Sequence, residues 1–214
     1  VTELPRNPFL PPPVEVTPEE VVEPDPVLGD EIEVTGPSSP VHAPRIEAKS
    51  PTALMGDADA DVPTGRVALV GLHGGAGVST LETLLGDDVV DAGTRMPAVN
   101  PYVPGRPRVL LVARTHDRGL SMAEEVTTAW SHRELPDLDV IGLVLVDDGP
   151  KLTAAMRQSV SRLLRMTPHG WHIPWVEAWR TSATPSLSGV RLPRTIKSIR
   201  RAVGAPESSK GPSS

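Results

Sequence analysis

The segment Val67–Leu85, VALVGLHGGAGVSTLETLL, decides how the rest of the chain is read. Its first five residues, Val67 to Gly71, form an apolar run of buried-strand length. Gly74, Gly75 and Gly77 then turn the chain. Ser79 and Thr80 open a stretch in which Leu81, Leu84 and Leu85 share one helical face. A strand, a glycine-rich turn and a helix N-terminus in succession build an anion site. Glycine admits positive φ and lets the backbone come close to a phosphate. The N–H groups of the first helical turn then face the anion, aided by the helix dipole. Without a ligand, the same residues read as a tight turn joining a strand to a helix.

Outward from this segment, strand and helix patterns alternate. Arg108–Ala113, RVLLVA, reads as a second buried strand and Asp139–Val146, DVIGLVLV, as a third. Between them, Gly119–His132 places Leu120, Ala123, Val126, Thr127 and Trp130 on one helical face. Lys151–Met166 sets a stripe of Leu152, Met156, Val160, Leu163 and Leu164 opposite Arg157, Arg162 and Arg165. Pro168 and Gly170 end that helix, and Trp171–Ile173 forms a short fourth strand cut by Pro174. Residues 86–107 carry acids, glycine and Pro97, Pro101, Pro104 and Pro107, and are expected to hold no central strand. Strands apolar on both faces, separated by helices, predict an α/β fold. It is a small open parallel sheet with flanking helices and right-handed crossovers.

Charge divides the chain into three. Residues 1–64 have a net charge of −10 and hold 13 of the 25 prolines; residues 65–184 are at −1; residues 185–214 are at +5. The first part, with Phe9 as its one aromatic and Pro11, Pro12 and Pro13 in a row, reads as an acidic, disordered arm, either a solvated spacer or a partner-binding arm or tether. The second is the expected α/β domain. In the third, Val190–Val203 sets Ile196, Ile199 and Val203 on one side of a short helix, with Arg194, Lys197, Arg200 and Arg201 on the other. Such a helix meets nucleic acid, a membrane surface or an acidic protein, or else caps the domain. Opposite charges predict a weak contact between arm and tail, and residues 207–214 read as a frayed end. Cysteine is absent, no secretory signal pattern opens the chain, and no apolar run is long enough to span a bilayer, so a cytoplasmic setting is expected.

Other chemistry finds little footing. Gly71, Gly75 and Gly77 match the GxxxGxG spacing of short-chain dehydrogenases, but the single tyrosine, Tyr102, has Arg106 where that chemistry needs lysine. His73, His116, His132, His169 and His172 show no metal-ligand spacing, and no GxSxG elbow occurs. Arg114 and Thr115 end the second strand, where α/β sites gather. Trp171, Trp175 and Trp179 lie close in sequence to His172 and Glu177, and read as closure of the sheet edge, a partner-docking patch or a base-stacking ledge.

The residues GGAGVST, Gly74 to Thr80, resemble the GGxGK[ST] loop of the ParA/MinD-like P-loop NTPases. Val78 stands at the phosphate-binding lysine and His73 at the family's second, signature lysine. Lysine-lacking loops occur in the Flp-pilus-assembly branch, CpaE/TadZ-like, which this loop resembles most. The likeness runs patchily from Arg66 to Arg180. It implies that Gly74, Gly75, Ala76, Gly77, Val78, Ser79 and Thr80 cradle ATP or ADP, with Ser79 at the Mg²⁺-ligand position and Thr80 at the α-phosphate contact. On this alignment the strands that carry the family's two aspartates are replaced by residues 86–107. In a second alignment, Leu143–Asp148, LVLVDD, resembles a Walker B strand with Asp147 holding Mg²⁺ through water. The resemblance implies a nucleotide-sensing scaffold or regulator with a protein partner, homodimer formation among the options, and no significant hydrolysis. The alternatives are a pure interaction module with an empty loop and a weak ATPase using Asp147. A lysine restored at Val78 is expected to tighten nucleotide binding.

Overall fold

Eleven elements follow one another in the computed structural model, which describes residues 32–39, 62–97, 102, 104–135, 137–181, 185 and 192–204. They are β1 (Ile32–Thr35), β2 (Val67–Gly71), α1 (Val78–Leu85), β3 (Val89–Asp91), β4 (Arg108–Arg114), α2 (Asp117–Ser131), β5 (Asp139–Val146), α3 (Ala154–Leu163), β6 (His169–Ile173), α4 (Ala178–Thr181) and α5 (Pro193–Gly204). The strands form one six-stranded sheet in the order β1-β6-β5-β4-β2-β3. Five are parallel, and β1 runs antiparallel along the β6 edge. The expected open parallel α/β sheet is therefore the fold.

Alternation along each strand fills two layers. Ala68, Val70, Val109, Leu111 and Ala113 face α2 and α3, against Ala123, Val126, Val160 and Leu163. Val67, Leu69, Leu110 and Val112 face α1 and α5, against Leu81, Leu85, Ile196 and Ile199. Each such Val, Leu or Ile, fully buried, contributes about 1.5–3 kcal/mol. The apolar side of α5 is thus spent on the core: Leu192, Ile196, Ile199 and Val203 are buried, while Arg194, Lys197, Arg200 and Arg201 stay exposed. The Arg108 guanidinium donates to the carbonyls of Val203 at 2.9 Å and Ala202 at 3.0 Å, closing the C-terminal end of α5.

Counted alone, the parallel strands run 2-1-3-4-5. From β2 the chain steps outward to β3, then crosses back over β2 to β4. That reversal opens a crevice at the C-terminal ends of β2 and β4, the place where open α/β sheets take ligands. Among the described residues, no helix is long and apolar enough to cross a membrane.

Two strands are not anticipated in the sequence, and one of them, in the arm, departs from what is expected there. In residues 86–107, Val89–Asp91 forms β3, paired parallel with Val67–Leu69. It holds three residues and lies on an edge, and the prolines of that stretch all come after it. In the acidic arm, Ile32–Thr35 forms β1, with Ile32 opposite His172 and Thr35 opposite His169. Gly36 donates its N–H to Pro168 O at 2.9 Å. A Cβ at Gly36 would lie 1.9 Å from Thr167 O, so only glycine seats the chain there. Residues 1–31 and 40–61 of the arm, Pro11–Pro13 among them, and the tail beyond Gly204 lie outside the described residues.

Candidate functional site

The glycine loop sits where the sequence places it, over the C-terminal end of β2. Gly75 has φ 77° and Gly77 φ 101°, both in the left-handed region that glycine alone adopts freely. Gly77 caps α1 without any side-chain hydrogen bond. The first helical bond runs from Leu81 N–H to Gly77 O, so the N–H groups of Val78, Ser79 and Thr80 precede the ladder and face the loop. Gly74 and Gly75 are exposed, Ala76 is buried, and Thr80 is half-buried.

Val78, at the expected lysine position, points away from the loop. It is 7% exposed and packs in the layer beneath α1, close enough to β2 that a Cβ on Gly71 would meet its Cγ2 at 2.9 Å. His73, at the signature-lysine position, also turns inward. Its Nε2 accepts the Arg114 N–H at 3.0 Å, and its Nδ1 donates to Gly74 O at 2.9 Å. One neutral tautomer satisfies both bonds. Burial lowers the His73 pKa below its ordinary 6.5, and the neighbouring His116, Arg114 and Arg118 push the same way against the Gly74 bond. The His116 ring lies 4.6 Å from that of His73 and caps α2 by accepting the Gly119 N–H at 3.0 Å. Gly119 is required here, because a Cβ would meet Arg114 O at 2.1 Å.

Arg114 ties the loop to the next strand. Its Nε donates to Gly75 O at 2.9 Å, and one terminal nitrogen lies 3.4 Å from Asp148 Oδ1. Its partner in the sequence reading, Thr115, is fully buried; its hydroxyl donates to Asp147 Oδ1 at 3.2 Å and accepts the Asp148 N–H at 3.1 Å. Asp147 Oδ1 also lies 2.8 Å from His172 Nε2, and both side chains are more than 90% buried. Asp147 therefore closes the ends of β5 and β6 against each other. His172 Nδ1 is buried without a hydrogen-bond partner.

Ser79 has another acid beside it. Its hydroxyl donates to Asp91 Oδ2 at 2.6 Å, Asp91 Oδ1 accepts the Gly93 N–H at 2.7 Å, and Glu82 Oε1 accepts the Asp91 N–H at 2.9 Å. Sequence reasoning passed over Asp91 because a three-residue strand carries no periodicity; its one signal is two valines ahead of an acid. The hydroxyl of Ser79 and the carboxylate of Asp91 are hard oxygen donors that fit Mg²⁺. Asp147, held by His172 and Thr115, fits it poorly. Among the described residues, no group of three or more His, Cys, Asp or Glu side chains is placed to hold a metal ion.

A pocket of about 60 Å³ adjoins the loop, lined by Gly77, Thr80, Arg114, Asp147, Trp175 and Trp179 among others. Trp175 precedes α4 and its indole N–H donates to Glu177 at 2.9 Å, so the two tryptophans meet at the pocket without sharing a helix. Trp171 is fully buried in the core, its indole donating to Ser198 Oγ at 3.1 Å.

Residues 65–198 match a family of unknown function (DUF6668), and the chain belongs to that family. No curated protein and no solved structure matches it.

Proposed function

We propose that the chain is a cytoplasmic, non-hydrolysing phosphate-sensing module that takes the terminal phosphates of ATP or ADP at the α1 N-terminus and passes the state of that loop to a protein partner. The observation that carries this reading is the uncapped start of α1 behind two left-handed glycines, Gly75 and Gly77, at the reversal point of the sheet. Arg114 supplies the nearest cation, although its charge is shared with Asp148. Ser79 with Asp91 is the pair that would hold Mg²⁺; a bound ion there would neutralise phosphate charge. With Val78 in the core, the loop lacks a charged hydrogen bond of roughly 1.5–3 kcal/mol. Affinity is therefore about one to two decades below that of a lysine-bearing loop.

The interaction module with an empty loop is the second reading. The size of the pocket favours it: about 60 Å³, where sites for small organic ligands measure about 300–1,000 Å³. Calorimetric titration of the full chain with ATP, ADP and inorganic phosphate, with and without Mg²⁺, separates the two. Weak binding shared by all three, lost in Gly77→Val, is the expected result. No heat with any of them leaves the empty loop, and brisk phosphate release from ATP would revive the weak ATPase.

A further inference from the structure

The β6 edge is filled by a strand that arrives from far away in the chain. β1 pairs with β6 residue for residue and lies beside α5. Two features make this a shaped seat. Gly36 is pinched against the Thr167 carbonyl, where any side chain collides with backbone. The flank beside the seat is α5, whose Arg194 and Lys197 are exposed. The strand that occupies the seat is drawn from an acidic stretch, Asp30-Glu31-Ile32-Glu33-Val34-Thr35-Gly36, within an arm of net charge −10.

We propose that the β6 edge and the basic side of α5 form a docking groove for an acidic, extended peptide of a partner protein, and that β1 is its tethered occupant in cis. Backbone pairing to a free sheet edge supplies affinity without sequence specificity. The cations of α5 select acidic strands, and the glycine pinch fixes the register. Residues 36–66 tether β1 to β2, a span of up to about 100 Å when extended. Tethering within one chain presents the strand to its seat at an effective concentration that a free peptide must exceed. A partner's peptide must displace it, so the arm sets the threshold for binding. This proposal is independent of what the glycine loop binds.

The test uses the full chain, its Gly36→Val variant and a fluorescent peptide copying residues 30–39. Gly36→Val ejects β1 by the collision with Thr167. Val34→Pro is the second route, because the Gly36 bond puts Val34 at a bonded position of the ladder. Peptide anisotropy should show binding to either released variant at least about tenfold tighter than to the natural chain, since a competent state populated at a tenth or less weakens apparent affinity by that factor. Binding should weaken as salt rises from about 0.05 to 0.3 M, and should be lost with a peptide in which Asp30, Glu31 and Glu33 are amidated or with Arg194→Glu and Lys197→Glu in α5. Equal binding to natural and released chains overturns the proposal. So does equal binding of the neutral peptide, or release that yields only self-associated chain with no peptide capture while circular dichroism shows the sheet intact. Capture of a DNA duplex in preference to the peptide would assign the basic side of α5 to nucleic acid instead.

Discussion

Arg114 and His73 hold each other across the ends of two adjacent parallel strands: the Arg114 backbone N–H donates to His73 Nε2 at 3.0 Å. The bond exists only while that nitrogen is unprotonated, which makes the loop's attachment to β4 sensitive to acid. Because burial lowers the His73 pKa below 6.5, the folded chain favours the neutral ring. Its stabilisation is complete above about pH 6.5, the unfolded value, and is lost as pH falls through the lower folded value. The urea midpoint should therefore drop between about pH 7 and pH 5. His73→Gln, whose side-chain oxygen can accept the same N–H, should flatten that part of the profile; an unchanged profile would remove His73 from the account.

Val78→Lys should not behave as a repair. The side chain at this position lies in the core beneath α1, 7% exposed. A lysine there either buries its ammonium or strains α1 to bring it out. Loss of roughly 2 kcal/mol or more of folding stability is expected. Thermal unfolding beside an ATP titration checks both halves: tighter binding at unchanged melting temperature would show that the side chain reaches the loop.

Asp147→Ala should be among the more damaging single changes. It leaves Thr115 without its acceptor and His172 with neither ring nitrogen bonded, all in the interior. About 2–4 kcal/mol of destabilisation is expected. Asp147→Asn, which keeps an acceptor for His172, should lose less. Equilibrium denaturation of the two variants gives the comparison, and equal losses would mean that the geometry of the pair is unimportant.

Arg133→Gly should stabilise. Arg133 follows α2 with φ 63°, the one left-handed residue other than glycine among those described. The N–H groups of Arg133 and Glu134 close the helix end onto Trp130 O and Ala129 O, the arrangement that favours glycine. A gain of about 0.5–1 kcal/mol is expected, read as a higher denaturation midpoint.

The long elements were legible because each is buried on a regular period. β2, β4 and β5 stand out as apolar runs, and α2 and α3 as stripes, with ends within a few residues of those expected. β1 and β3 were not legible, since three or four residues carry no period and each owes its place to a neighbouring strand. For β1 that neighbour, β6, lies far along the chain. The site divides in the same way. The glycine loop could be read from local sequence, but the direction of Val78 depends on how α1 rolls onto β2. In sequence, Asp147 stands at the end of an apolar strand, where it resembles a Walker B acid. It faces inward because β5 and β6 end level, with Val146 beside Ile173, which brings His172 within reach.

The antiparallel edge strand also orders events in time. β1 leaves the ribosome before any other described element, yet its partner β6 is completed only with Ile173, after β2, β4 and β5 have emerged. At about 5–20 residues per second, that interval is on the order of ten seconds. Throughout it the nascent chain carries an acidic strand with no edge to join, and the strand that is made first is set in place among the last.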